Sequence, residues 1–378
     1  MLIHNHTRLA IENKLNQFYT CLHTIFDHVA FDLLTITCDD LGYSTPNLTT
    51  AGIFHLYGHV RINNKQQPWS IIIKIIKSDS TEKEDITHHN YWRREAFIFE
   101  SKILDDLPDS IQVAKSYLVE EQQDGTLWLW MERIEGRYAQ SQEQFDFIAR
   151  QLGRFNGAYL TEKALPNQAW ICQSWLQSWI TASRMYAPNP EVYVQHLQKD
   201  NEITIWTWFQ DFTKQIEHNL SSLDRLPRVL AHQDLSQMNM LLVKNHLEMD
   251  QVVLIDWQFM SISGIGEDLA KMYGVNMSLG IIPPDQYYVF QDSLFKSYIE
   301  GLKDSGWQGD VGLARYGYCL ATAARSVWEV PKFFSLAAQL EADPLNTTLQ
   351  DNVAQLEQII KIHMEMALEA DSLKVLIT

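Results

Sequence analysis

One stretch of the chain, residues 229–272, constrains its fold and chemistry more than any other. It holds the spacing His-x-Asp-x-x-x-x-Asn, then an apolar run, a polar gap at 244–250, and a second apolar run that ends in aspartate. The polar residues of this pattern are His232, Asp234, Asn239 and Asp256. Two apolar runs across a short gap predict a hairpin of buried strands, so the final aspartate emerges where a side chain can reach a cleft.

This spacing is the phosphoryl-transfer signature of the protein-kinase group. Asp234 would accept the proton of an attacking hydroxyl, or orient it, while Asn239 and Asp256 would offer oxygen atoms to a magnesium ion. We expect His232 to hold the loop by a hydrogen bond rather than to take part in the chemistry. A lone His-x-Asp is common, and an aspartate after a strand is often only a turn residue. The coincidence of all these parts in one register favours function.

The composition narrows the remaining possibilities. With 378 residues, the chain is long enough for two domains with sizeable cores. A net charge of −17 argues against nucleic acid or an anionic membrane as the main partner, because both attract clustered lysine and arginine. No apolar run approaches the ~18 residues of a membrane span, and the first residues lack the pattern of a signal peptide. The scattered cysteines are expected to be reduced thiols in a cytoplasmic protein, namely Cys21, Cys38, Cys172 and Cys319.

A lysine and a glutamate upstream form a second candidate group. Lys74 lies between isoleucines on one face of a predicted strand, 69–76. It would be either an edge-strand lysine that blocks aggregation or a lysine kept charged by an anion. In the predicted helix 91–104, Glu95 shares the apolar face, where a carboxylate is costly unless it is paired. We expect the two residues to pair and to position the phosphates of ATP.

The segment 42–52 stands where a glycine-rich phosphate loop would be, but it lacks the G-x-G-x-x-G pattern. Its hydroxyl residues could donate to phosphate, or the segment could be an ordinary polar hairpin; these residues are Ser44, Thr45, Thr49 and Thr50.

The strand predicted at 126–131 runs into a short connector, 132–136. If this connector is a kinase hinge, the backbone of Glu132 and Ile134 would face an adenine ring. A plain domain linker would have the same sequence.

The rest of the chain changes from strands to helices. Residues 7–29 have apolar positions at near-helical spacing, and three predicted strands follow, at 31–37, 52–62 and 69–76. From Ser141 onward, apolar residues mostly recur at three and four positions, which predicts helices. A tryptophan-rich insert precedes the catalytic stretch and contains Trp170, Trp175, Trp179, Trp206 and Trp208.

With these residues placed, the chain resembles the aminoglycoside phosphotransferase and choline kinase superfamily, which is protein-kinase-like. The resemblance is most specific in His232–Leu242 and in Ile255–Ala270, which includes Gly264-x-x-x-Asp268-Leu-Ala. Within the superfamily the chain is most similar to bacterial phosphotransferases of unassigned substrate, on the segments that begin at Tyr91, Trp128 and Leu152.

The resemblance implies an α+β, two-lobed protein-kinase-like fold. Residues 1–131 would form a small N-lobe with an antiparallel sheet, and residues 132–378 a larger, mainly helical C-lobe with the catalytic loop and the acceptor site. ATP and Mg²⁺ would bind in the cleft between them. The implied roles are catalytic base for Asp234, metal ligands for Asn239 and Asp256, phosphate clamp for Lys74 with Glu95, and a brace for the catalytic loop for Asp268.

Three functions are compatible with these residues. The first is an ATP- and Mg²⁺-dependent phosphotransferase acting on a hydroxyl of a small molecule. The second is a kinase-like protein that binds nucleotide without turnover, although a scaffold would need none of these costly polar groups. The third is a protein kinase, but no A-P-E-like segment follows Asp256.

We also expect a small-molecule acceptor to carry a positive charge, as an amino sugar or amino alcohol does, because the chain is acidic and has 12 tryptophans. The spacing of Trp175 and Trp179 is equally that of ordinary core residues.

Overall fold

The computed structural model describes residues 14–42, 49–195 and 197–377. Its first part is built mainly of strands, with the elements α1 (Leu15–Ile25), β1 (Asp32–Asp40), β2 (Thr50–Ile62), β3 (Lys65–Ile76), α2 (Arg94–Ser101), β4 (Ile111–Val113), β5 (Ser116–Glu121) and β6 (Leu127–Glu132). The remainder is mainly helical, with β7 (Arg137–Tyr138), α3 (Gln142–Thr161), α4 (Trp175–Tyr186), α5 (Asp200–Lys214), α6 (Ile216–Leu223), β8 (Arg228–Ala231), β9 (Met240–Lys244), β10 (Asp250–Leu254), β11 (Ser261–Gly264), α7 (Glu267–Ser278), α8 (Tyr287–Asp304), α9 (Val311–Ala323), α10 (Ser326–Ala342) and α11 (Thr347–Leu373). The prediction of an α+β fold is confirmed.

The strands of the first part form one antiparallel sheet in the order β1-β2-β3-β6-β5. Its outer face is covered by α1, where Phe18 packs edge-on against Trp69 and Trp130 at ring distances of 5.9 and 5.5 Å. The inner face of the sheet packs against α2 and the rest of the core, through residues such as Leu129 and Ile76. A sheet with both faces covered explains why β3 is apolar on both sides.

The stretch 229–272 contains the hairpin that its sequence predicts. β9 and β10 pair antiparallel, with Val252 opposite Leu242, and the turn between them falls at 245–249. β4 adds to β10 in parallel, and β7 adds to the other side of β9. Both strands of the hairpin are largely buried. Because they run antiparallel, the loop before β9 and the loop after β10 lie at the same end of the hairpin.

Helices surround this hairpin and form the main core. α3 begins with a capping box, in which the Ser141 hydroxyl accepts from Gln144 N–H and the Gln144 side chain accepts in return from Ser141 N–H. Its apolar face packs on α8 and β8. Among the described helices, none combines the length and the apolar composition that crossing a membrane requires.

One predicted element differs in extent from the structure, and two predicted segments are described only in part. The predicted helix 91–104 spans only Arg94–Ser101, because Lys102 takes a left-handed conformation, φ 55°, and a short 3-10 turn follows. The N-terminal helix predicted over 7–29 is described only as α1, since residues 1–13 lie outside the described residues. Most of the segment 42–52, including Ser44 and Thr45, also lies outside them.

Candidate active site

Lys74 is the centre of a buried ionic cluster. In the sheet it pairs with Ile53 of β2 and Leu129 of β6, so it does not lie on an edge strand. Its ammonium lies 2.7 Å from Glu95 Oε2 and 2.8 Å from Asp256 Oδ1. The predicted pair is therefore present, and Asp256 joins it. Burial alone would lower the pKa of the ammonium, but the two carboxylates hold it above its ordinary value.

Asp234 and Asn239 are joined within the loop between β8 and β9. The Asn239 amide nitrogen donates to the main-chain oxygen of Asp234 and to Asp234 Oδ2, both at 3.0 Å. This arrangement leaves the Asn239 amide oxygen available to a cation. About a quarter of the Asp234 side chain is exposed, 26%. Burial raises the pKa of its carboxyl, and the nearby Lys271 ammonium opposes that shift.

His232 holds the loop, as its position predicts. Its Nδ1 accepts from Asp234 N–H at 3.2 Å, so Nε2 carries the proton and donates to Ile255 O at 3.1 Å. The ring packs edge-on against Trp257. Burial lowers the pKa of His232 to about 4, so the ring is neutral at physiological pH. A neutral ring with both nitrogens engaged is a structural tie and not a proton carrier.

Asp268 contacts the same loop from the first turn of α7. Its two carboxylate oxygens accept from the main-chain amides of His232 and Gln233, each at 2.9 Å. Gln233 has a positive φ of 59°, a conformation that costs free energy and persists only when neighbouring groups hold it. Burial raises the pKa of Asp268 to about 6, while the two amides oppose the shift.

Asp256 leaves β10 in a left-handed conformation, φ 62°, beside Lys74. Ile255 N–H donates to Asn239 O at 3.1 Å, so the two predicted metal ligands belong to loops that are hydrogen-bonded to each other. One carboxylate and one amide oxygen are hard donors that suit Mg²⁺, which commonly takes its other ligands from water and phosphate. The described residues contain no group of three or more His, Cys, Asp or Glu that could hold a metal by itself.

Four of these residues, Lys74, Glu95, Asn239 and Asp256, line a cleft of about 930 Å³ between the sheet and the hairpin. Apolar residues from both sides line the rest of it, among them Ile53, Ile72, Met131, Leu241 and Ile255. Its size is that of a typical small-molecule or cofactor site.

The connector residues Glu132 and Ile134 both line this cleft. Glu132 N–H, however, donates to Lys115 O at 2.9 Å, so that amide cannot bind an adenine. Within the described part of the chain Ile134 N–H has no partner, and it is the amide that could.

Arg94 was not predicted from the sequence, and it is fully buried beside Glu95. Its guanidinium donates to five main-chain carbonyls, those of Trp170, His89, Gln258, Ile86 and His88. It thus ties α2 to the loop after Asp256. Helical spacing could have found it, because Arg94 is four residues before the buried Ile98.

Lys271 and Arg325 were also not predicted from the sequence. Lys271 Nζ lies 3.8 Å from Asp234 Oδ1 and 5.0 Å from the centre of the Trp175 ring. Arg325 Cζ lies 5.5 Å from the centre of the Trp179 ring. Lys271 follows the inward-facing Asp268 by three residues on α7, so helical spacing could have found it. No comparable signal marks Arg325.

The comparisons with known proteins agree with this geometry. A model of the phosphotransferase enzyme family matches residues 86–301, more than half of the chain. Amicoumacin kinase hAmiN, solved in complex with AMP-PNP, Ca²⁺ and Ami, has a similar fold, with a TM-score of 0.51 and 13% sequence identity. The superposition covers 94% of this chain and 95% of that one. No curated protein sequence matches the chain.

Two further solved structures are similar at lower scores. Aminoglycoside 2'-phosphotransferase-IIIa with GDP has a TM-score of 0.48 and 15% identity, over 92% of this chain and 99% of that one. Choline kinase from Cryptosporidium parvum Iowa II has a TM-score of 0.47 and 14% identity, over 89% and 90%. The chain belongs to the phosphotransferase enzyme family. The predicted superfamily and the prediction of an enzyme that transfers a phosphoryl group are confirmed.

Proposed function

We propose that the protein transfers the γ-phosphoryl group of ATP, with Mg²⁺, to a hydroxyl of a small molecule. The observation that carries this proposal is the meeting of Lys74, Glu95 and Asp256 at the polar end of the cleft. Lys74 and Asp256 are 182 residues apart in the sequence. A scaffold has no use for this group of charges, since Lys74 and Glu95 are buried and a buried charge is costly.

In this proposal the nucleotide lies between an N-lobe, residues 1–131, and a C-lobe, residues 132–378. The adenine is held between the apolar walls of the cleft, and Ile134 N–H binds its edge. Lys74 binds the phosphates, and Glu95 keeps the ammonium oriented. Asn239 and Asp256 hold Mg²⁺, which neutralises charge that develops on the phosphates when it is bound.

The transfer itself requires a base at the acceptor hydroxyl. Asp234 takes the hydroxyl proton while the acceptor oxygen bonds to the γ-phosphorus. The bond between that phosphorus and the β–γ bridging oxygen breaks, and ADP leaves. Burial raises the pKa of Asp234, which makes its carboxylate a better proton acceptor than an exposed one.

A small acceptor is favoured over a protein. Helix α4 lies beside the catalytic loop, because its Trp175 and Trp179 line one crevice together with Gln233, and Trp175 lies against Lys271. A cationic acceptor is not favoured, because Lys271 already lies over the ring of Trp175 and Arg325 already lies over the ring of Trp179.

The test is acceptor-dependent ADP release by the full chain, with Mg²⁺ and either ATP or GTP, across hydroxylated small molecules and with a generic protein substrate. We expect at least one small molecule to accelerate ADP release well above slow hydrolysis, and chelation of the metal to abolish the effect.

A thermal shift by MgATP with no acceleration by any compound would favour nucleotide binding without turnover. Phosphorylation confined to the protein substrate would favour a protein kinase.

A further inference from the structure

Lys271 is a largely buried cation whose donors are not used. Only 10% of its side chain is exposed, and its closest carboxylate oxygen, Asp234 Oδ1, is 3.8 Å away, too far for a hydrogen bond. Within residues 14–42, 49–195 and 197–377, no hydrogen-bond acceptor contacts its ammonium. An ammonium has three donors, and burying them without partners costs free energy.

Arg325 is a second buried cation close by. It donates from Nη2 to Ser278 Oγ at 3.2 Å, but its Nε has no partner in the described structure. Gly274 of α7 makes room for it, because a Cβ at that position would lie 2.4 Å from Arg325 Cδ. Burial lowers the pKa of Lys271, and Arg325 is near enough that its charge lowers it further. The two cations therefore form a positive site within reach of Asp234.

Apart from Asp234, the carboxylates around this site are engaged by the protein itself. Both oxygens of Asp268 accept main-chain amides, and Glu267 Oε1 accepts from Gly264 N–H at 2.6 Å. Glu329 accepts from Ser278, lies 3.7 Å from Arg325 and is fully buried. It does not line the small crevice formed by Trp175, Trp179, Lys271 and Arg325 with their neighbours. Among the described residues that line this crevice, only Glu267 has a carboxylate, and it accepts from Gly264 N–H and lies 3.9 Å from Arg228. Lys271 lines the same crevice.

The tryptophan pair does not change this conclusion. Trp175 and Trp179 stack with ring centres 6.0 Å apart, and Lys271 and Arg325 cover their faces. An aromatic face binds a cation through its quadrupole, and here each face already has one. A cationic acceptor would meet two positive charges instead of two open rings.

We propose that the acceptor carries an oxyanion, either a carboxylate or a phosphate ester, and that Lys271 binds it with Arg325 adding a second positive charge. This inference rests on the proposed function, because Asp234 defines where the reacting hydroxyl lies. The hydroxyl would lie about 3 Å from Asp234 and the oxyanion about 3 Å from Lys271. Given the 3.8 Å between Asp234 and Lys271, the two groups are at most about 10 Å apart.

This span is that of a hydroxy acid, a sugar acid or a sugar phosphate. The crevice between the tryptophans has a volume of about 10 Å³, room for one water molecule. The oxyanion therefore binds at its mouth, on Lys271, and not between the rings.

The experiment compares matched compounds with the full chain and MgATP. One series is glycerol, glycerate and glycerol phosphate, and another is glucose, gluconate and glucose 6-phosphate, with ethanolamine and choline as cations. ADP release gives kcat/KM, and thermal shift with MgAMP-PNP gives binding where turnover is absent. We expect an acid or phosphate member to exceed its neutral partner at least tenfold. Comparing the carboxylates with the phosphate esters in each series shows which of the two oxyanions the site prefers.

The variants Lys271→Met, Lys271→Arg and, as a surface control, Lys361→Met complete the test; half of the Lys361 side chain is exposed, 55%. The measured quantity is the ratio of anionic to neutral compound. It should collapse in Lys271→Met through a higher KM, and persist in Lys271→Arg and Lys361→Met.

Turnover or binding that favours neutral or cationic compounds, a ratio unchanged in Lys271→Met, or no response to any anion would each overturn the inference. In the first of these cases the proposed function stands. If neither MgATP nor any compound binds, the proposed function fails as well.

Discussion

Two buried lysines lie close enough to Asp234 to act on its carboxylate, and their surroundings are opposite. Lys74 has carboxylate oxygens at 2.7 and 2.8 Å, and these raise the pKa of its ammonium. Lys271 has one carboxylate at 3.8 Å and a tryptophan face at 5.0 Å, and burial lowers its pKa to about 8. The protein itself supplies close counter-charges to Lys74, but it does not supply them to Lys271.

The difference shows what each lysine is ready to bind. Lys74 is held in place before any ligand arrives, as a clamp for phosphates must be if it is to cost little reorganisation. Lys271 gains its missing hydrogen bonds only from outside the protein. A buried cation without full partners is therefore a marker of a ligand, whereas a fully paired one marks preorganisation.

Asp234 lies next to Lys271 on the side where the acceptor would bind. The first prediction, which has the largest expected effect, therefore removes the Asp234 carboxylate. Asp234→Asn should lower acceptor-dependent ADP release by about 10²–10⁴-fold, because the proton of the attacking hydroxyl loses its base. MgATP binding, measured by thermal shift, should stay within a few fold, because Lys74 and Asp256 are untouched. Asp224→Asn, an exposed aspartate, is the matched control. Wild-type turnover in Asp234→Asn would remove Asp234 from the base role.

The second prediction concerns the stability of the two lysine sites. Lys74→Met leaves Glu95 buried without its cation and should cost about 3–5 kcal/mol in the free energy of unfolding. Lys271→Met removes a poorly paired charge and should change stability by about 1 kcal/mol or less, or increase it. Urea unfolding without nucleotide measures both, with the exposed Lys65→Met as a control on the same strand. Equal losses in Lys74→Met and Lys271→Met would mean that the two sites do not differ in the way described.

The third prediction tests the nucleotide site, which contains Lys74 and Asp256. MgATP at about a hundred times its dissociation constant should stabilise the wild type by about 2.7 kcal/mol. Asp256→Ala should abolish this gain, because a metal ligand and a partner of Lys74 are lost together. Asp250→Ala, at the opposite end of β10, should keep the gain, since that side chain pairs with Arg137. A full MgATP effect in Asp256→Ala would place the metal elsewhere.

The residues of the nucleotide site and Asp234 were largely predictable from the sequence, and the cations beside Asp234 were not. Lys74 and Glu95 each stand in an apolar pattern where a charge is conspicuous, and Asp234, Asn239 and Asp256 have a fixed spacing. The pairing of Lys74 with Asp256 depends on how the sheet lies over the hairpin. No local pattern carries that information.

The residues that were missed are cations on helices or, for Arg325, in the turn before one, where a charge usually indicates the solvent side. Arg94, Lys271 and Arg325 are buried because their neighbours on other elements supply carbonyls and aromatic faces, which are tertiary contacts. The end of α2 at Lys102 was missed for a similar reason, since a left-handed residue there is not marked by glycine or asparagine.

The last prediction uses pH to separate the two lysines. The pKa of Lys271 is about 8 in the fold and about 10.4 in an unfolded chain, so between these values the unfolded state binds more protons. Stability should therefore rise with pH in that window, by at most about 1.4 kcal/mol per pH unit, relative to Lys271→Met. Burial and Arg325 lower this pKa, whereas Asp234 and Asp268 raise it.

Lys74, whose pKa is raised above its ordinary value, should give no such rise. For an anionic acceptor, kcat/KM should fall above about pH 8 in the wild type as the ammonium deprotonates, and stay level in Lys271→Arg. Unfolding free energies and kcat/KM from pH 7 to 10 measure both effects. If both pH profiles of the wild type match those of Lys271→Met across this range, the ammonium of Lys271 is stabilised as strongly by its neighbours as that of Lys74. The two sites would then not differ.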